Sequence, residues 1–175
     1  FRRAHAGTPP GTWSDDGAQA LCLLVSLLYR GELDVKDFGR RLTNWYEHGY
    51  MAVDDRVFDV GVGTASALRR IAAGTLPSEA GGEGVRENGN GSLMRSMPLV
   101  LWHRGTDAEL VRDAQRQSLP THRHPRSRVC CALYCLWARG LLEGRDAPWE
   151  DAVVFLEELY EDDEVMLAEL KFHIR

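Results

Sequence analysis

Alternating apolar and polar runs of the kind that build strands are almost absent from this 175-residue chain, and no motif recurs at a fixed period. Sheet folds and repeat solenoids are thereby disfavoured. No apolar run is long enough to cross a bilayer, because LCLLVSLLY at residues 21–29 stops at Arg30 and Gly31. Strong charge of one sign is missing too: 21 basic residues against 26 acidic ones leave −5, which argues against general affinity for nucleic acid or an anionic membrane. Cysteine is sparse. Three of the four, Cys130, Cys131 and Cys135, fall in one apolar segment and the fourth is Cys22, a poor layout for a disulfide framework. With no secretory signal in view, a reducing cytoplasm is the expected setting. What is present is an ordinary globular mixture, 44% hydrophobic and 27% charged, enough to bury one substantial core.

Helical spacing runs through most of the chain. After Ser14, the residues Ala18, Leu21, Val25 and Leu28 fall on one face, and Gly31 supplies a stop. A second helix is predicted over 35–48 with Phe38, Leu42 and Trp45 inward and Gly49 after it. TASALRRIAAG at residues 64–74 predicts a third, with Ala65, Leu68, Ile71 and Ala72 inward. PSEAGGEGVRENGNG at residues 77–91 has no apolar period and is predicted to be a mobile loop. Helices then resume over SLMRSMPLVLWHR, which Pro98 should kink or divide, over DAELVRDAQRQS from Asp107, over about 126–142, and from Pro148. The fold predicted is all-α and single-domain.

Three stretches carry possible chemistry. In GTWSDDGAQALCLL, residues 11–24, Ser14 is a favoured helix cap and Asp15 and Asp16 suit the positive end of the helix dipole. The same three side chains also offer hard oxygen ligands to Mg²⁺ or a similar ion, with Asp54, Asp55 and Asp59 the nearest further acids. The second stretch is RENGNGSLMR, residues 86–95. Its glycines let backbone N–H groups approach an anion, and a helix start near Ser92 would add a favourable field, an arrangement suited to a diphosphate. The third is LPTHRHPRSRVCCALYC, residues 119–135. Its His122, His124 and cysteines lack zinc-site spacing, so the cysteines read as structural, while His122 stands at a helix entry as a candidate ligand contact.

Taken in order, WSDDGAQALCLLVSLL, RVFDVGVGTASALRRI, ENGNGSLMRSMPLVLW and SLPTHRHPRS resemble the ADP-ribosylglycohydrolase family, especially its bacterial dinitrogenase reductase-activating branch, which acts on ADP-ribosylated arginine. The blocks are collinear from about residue 11 to residue 142. The resemblance implies an orthogonal all-α bundle with two Mg²⁺ or Mn²⁺ ions, cleaving the bond between ribose C1″ and a protein side chain. Its Thr-Asp-Asp ligands are similar to Ser14, Asp15 and Asp16. Its diphosphate loop looks like Asn88, Gly89, Asn90, Gly91 and Ser92, and its ribose-contacting histidine like His122. An acid in a Phe-Asp-Ile-Gly block matches Asp59, which together with Asp16 is the expected catalytic pair.

The chain also departs from that pattern. Val62 stands where the branch commonly has Asn, and neither an acidic Asp-x-Asp-Thr motif nor an N-terminal Glu of the family is found, Asp162 and Asp163 reading instead as a solvated acidic helix end. The resemblance therefore predicts a domain over residues 1–175 that is incomplete at both ends. The expected partner is an ADP-ribosylated protein or an ADP-ribose-containing small molecule. The rival expectations are a non-catalytic ADP-ribose-binding or structural member of the same fold, and an unrelated helical interaction domain.

Overall fold

In a computed structural model, which describes His5 and residues 7–173, the chain folds as eight α-helices with no strand among the described residues. They are α1 (Asp15–Arg30), α2 (Val35–His48), α3 (Val62–Ala72), α4 (Met97–Trp102), α5 (Asp107–Ser118), α6 (Pro125–Glu143), α7 (Pro148–Leu159) and α8 (Glu164–His173). The all-α expectation holds. No helix is long and apolar enough to cross a membrane among the described residues.

Local signals set the ends of several helices. Asp34 starts α2 by accepting from the backbone N–H groups of Lys36 and Asp37, and Gly49, at φ +71°, ends it in a left-handed turn that side chains rarely adopt. Thr106 and Glu109 form a reciprocal capping box at the start of α5. At α6 the ring of His124 accepts from Arg126 N–H and Pro125 occupies the first turn, so His124 serves as a cap. Pro98 does divide its segment: a single 3₁₀ turn covers Asn90–Ser92, and α4 begins only at Met97.

The core runs continuously through these helices, with α6 packed against α4, α5, α7 and α8, and α1 against α2 and α4. Phe38, Leu42 and Trp45 face inward as expected. On α1 the expected face needs correction. Leu28 is 66% exposed and Leu21 and Val25 are only partly covered, whereas Ala18, Gln19, Cys22, Leu23, Ser26 and Leu27 are buried. The polar Gln19 and Ser26 are inside because each meets a partner there, Arg95 and Asp37, which an apolar period alone does not register. On α3, Leu68 is buried and Ile71 packs against the core, while Ala72 is exposed. At 160–165, Asp163 accepts from Met166 N–H at the start of α8, so it caps a new helix rather than trailing an old one.

The glycine-rich segment is irregular and anchored. Gly82 bridges His122 in parallel fashion, Arg70 reaches the Ala80 carbonyl, and Arg123 donates to the Glu79 carbonyl at 2.9 Å. All four cysteines are free thiols, and Cys22, Cys131 and Cys135 are buried.

Candidate functional site

The start of α1, the turn before α3, the loop before α4 and the entry to α6 meet at one cleft of about 530 Å³. Asp15, Asp16, Asp59, Gly89, Asn90, Gly91 and His122 all line it. Residues up to 107 positions apart in sequence are thus gathered by packing alone, the separation being that from Asp15 to His122.

At the start of α1 the simple cap is not made. Ser14 occupies the cap position, yet its side chain caps no backbone group; its Oγ instead donates to Asp16 Oδ2 at 2.9 Å. Ser14 does not line the cleft and acts on it through Asp16. Asp15 is buried. Burial first, then repulsion by Asp16 and Asp59, pushes its carboxyl up to about 6. Asp59 projects from a residue at φ +63° and pairs with His5 Nε2 at 3.0 Å. Asp54 and Asp55 are exposed on a separate turn and take no part.

For a divalent cation the donors fit in kind. Carboxylate oxygens suit Mg²⁺ or Mn²⁺, and Asp15, Asp16 and Asp59 line the same cleft. In number they fall short: among the described residues no three His, Cys, Asp or Glu side chains are grouped so as to hold an ion by themselves.

The loop differs in detail from its sequence reading. Gly89, Asn90 and Gly91 face the cleft, but Asn88 turns away to donate to the Val85 carbonyl, and Ser92 is buried, its hydroxyl hydrogen-bonded with Ser118 Oγ at 2.8 Å. The field of a full helix is also missing, since Asn90–Ser92 is one 3₁₀ turn. Another reason for glycine appears at position 91. A Cβ there would lie 2.8 Å from His122 Cε1 and 3.1 Å from Thr64 Oγ1, so the ring needs the bare backbone. His122 itself is buried, with Nδ1 2.8 Å from Thr121 Oγ1. Burial, aided by the charge of Arg95, pushes its pKa down to about 4, which keeps the ring neutral near pH 7.

Thr64, Arg86 and Met94 also line the cleft and were not singled out from sequence. Thr64 shares a helical face with buried Leu68, one turn on, a period that was legible; nothing in the local pattern marks Arg86 or Met94. Val62, at the site of the expected Asn, stands at the cleft 85% exposed.

Among known protein families, residues 1–173 match the one described as ADP-ribosylglycohydrolase. The chain belongs to the ADP-ribosylglycohydrolase family. Within that family it is 34% identical over 122 residues to ADP-ribosylarginine hydrolase Tri1 of Serratia proteamaculans (strain 568), an alignment covering 70% of this chain and 33% of that protein. It is 31% identical over 136 residues to ADP-ribosyl-[dinitrogen reductase] glycohydrolase of Rhodospirillum rubrum, covering 78% of this chain and 43% of the relative. A solved ADP-ribosylglycohydrolase-related protein complex superposes with a TM-score of 0.66 at 35% identity, over 90% of this chain and 48% of that one. The chain thus spans under half the length of each of these ADP-ribosylglycohydrolase relatives.

Proposed function

We propose that this chain carries part or all of the site of a divalent-metal-dependent hydrolase that releases ADP-ribose from modified arginine on proteins. The observation carrying this reading is that a single cleft gathers the acids of α1, Asp59, the Gly89–Gly91 backbone and neutral His122. Relatives named as ADP-ribosylarginine hydrolase and as a dinitrogen reductase glycohydrolase support the linkage chosen.

In this reading Asp15 and Asp16 would hold Mg²⁺ or Mn²⁺, with Ser14 orienting Asp16 through its 2.9 Å bond and further ligands required. Such ions, when bound, supply Lewis-acid polarisation to the ribose and its attacking water. The chain's own residues do the rest. Asp59, as general acid or base, moves a proton at its exposed carboxylate, and the backbone of Gly89–Gly91 receives the diphosphate. His122, uncharged, contacts the ligand by hydrogen bonding or stacking without competing as a cation for the acids.

The test is release of ADP-ribose from ADP-ribosylated arginine with Mg²⁺, with Mn²⁺ and with a chelator, alongside Asp16→Asn. Release is expected only with metal and only from the unaltered chain. Turnover that persists under chelation overturns the metal mechanism, and ADP-ribose binding without turnover under any condition makes the chain a binding member of the family.

A further inference from the structure

A buried cation without an acid adjoins the glycine loop. Arg95 is fully buried. Its Nη1 donates to Gln19 Oε1 at 2.8 Å, its Nε to Gln117 Oε1 at 3.1 Å and its Nη2 to the Gln117 carbonyl at 2.8 Å, while the guanidinium stands 5.0 Å over the Phe38 ring. None of these partners is charged. Away from the cleft, where buried Asp15 faces other acids, three buried charged groups do meet opposite charges: Asp37 meets Arg41 at 2.6 Å, Arg139 meets Asp107 at 3.0 Å and Asp113 meets Arg116 at 3.3 Å.

Gln19 makes this neutrality unusual. Its Oε1 accepts from Arg95, but its Nε2 is buried with no hydrogen-bond partner. An unmatched buried amide costs free energy, and a glutamate at this position would remove the defect while pairing the guanidinium. The residue present leaves the charge uncompensated.

That charge lies one side chain away from the loop. Gln117, which accepts two bonds from Arg95, passes its own Nε2 hydrogens to the Ser92 carbonyl at 3.0 Å and to Ser96 Oγ at 2.9 Å. Ser118 Oγ, next along α5, donates to the His122 carbonyl at 2.6 Å. One buried polar net therefore joins α1, the Asn90–Ser92 turn and the His122 entry. The field of Arg95 reaches the cleft wall, since after burial it is the cause that lowers His122.

We infer that Arg95, with a neutral Gln19 beside it, supplies from within the core the positive potential that favours an anionic diphosphate on the Gly89–Gly91 backbone. Arg95 acts through space and is not a contact residue of the cleft. The inference rests on the proposed reading of that loop as the diphosphate site.

Calorimetric titration of the full chain with ADP-ribose, paired with thermal unfolding, tests it. Gln19→Glu should fold with a Tm at or above the original yet bind ADP-ribose about tenfold more weakly, because a paired guanidinium projects less potential. Gln19→Met removes the hydrogen bond without adding charge, and should lower Tm while holding affinity within about threefold. Arg95→Met, which deletes the charge, should match the affinity loss of Gln19→Glu and stands in for it if that variant does not fold. Unchanged affinity in Gln19→Glu, or in Arg95→Met where only that variant folds, overturns the inference alone. Equal weakening in Gln19→Met does so as well, since it reduces Arg95 to a strut. Absence of ADP-ribose binding by the unaltered chain overturns the proposed function and this inference together.

Discussion

Asp37 and Arg95 are both ions buried in the same helix packing, and their surroundings are opposites. Asp37, on α2, accepts from Ser26 Oγ at 2.9 Å, from Arg40 at 2.7 Å and from Arg41 at 2.6 Å, with Arg30 a further 3.7 Å neighbour. Burial alone would raise its pKa, but the bonds from Arg41, Ser26 and Arg40 outweigh it and hold the carboxyl below its ordinary value. Arg95 has two amides, a carbonyl and a ring, and burial lowers its pKa to about 10. The first arrangement ties α1 to α2 and needs its charge. The second lies by the cleft, and its charge is a cost to the fold. Burial of an ion is therefore two different devices in one molecule, separable by what surrounds it.

The most damaging way to break the contrast is Asp37→Asn, which strands the partners of a satisfied buried acid. It should cost about 4 kcal/mol of unfolding free energy in denaturant titrations. A cost below about 1 kcal/mol would place the arginine cluster in the solvated class and erase the distinction. The next effect is read by pH. The folded pKa of His122, about 4, lies below its ordinary 6.5, so between those values the unfolded chain binds the extra proton and stability rises with pH. Stability from the neutral ring is whole above about 6.5 and lost as pH falls toward 4, by about 3 kcal/mol in full. Asp15, whose folded pKa is raised to about 6, opposes this slope over much of the same window, so the measurement is a difference. From pH 4 to 6.5 the original chain should gain more stability in stepped-pH unfolding than His122→Asn does, and equal changes would assign the titration elsewhere. The smallest effect sharpens the comparison from the other side. Arg95→Met should cost only about 1–2 kcal/mol, because the loss of three hydrogen bonds is partly offset by removal of an unpaired buried charge. A cost equal to that of Asp37→Asn would show that Arg95 stabilises the fold as much as a compensated ion does.

Much of the helical frame was legible because its signals are local. Asp34, Thr106, Pro125 and Pro148 mark helix starts within a few residues, and Phe38, Leu42 and Trp45 keep a clean period. The inward face of α1 was not, because its buried line runs through Gln19 and Ser26, whose partners Arg95 and Asp37 are 76 and 11 residues away. The same limit explains the loop. Order along the chain picked out Asn88 to Ser92 as one ligand site, while the fold turns Asn88 to its own backbone and Ser92 into the core. Ser14 is the mixed case: the cap position was read correctly, but its hydrogen goes to a carboxylate rather than its oxygen to an amide. A polar residue's position is written locally, and its partner is not.

The near contact at Gly91 has a bearing on what sequences this fold can accept. A methyl group there would need room from His122 Cε1 at 2.8 Å and from Thr64 Oγ1 at 3.1 Å, and both of those residues are themselves buried. The positions 64, 91 and 122 are therefore linked in their allowed mutations. An alanine at 91 has to push the His122 ring aside, and a smaller residue at 64 alone leaves that nearer contact in place, so a drifting chain loses the glycine most easily after its histidine has changed.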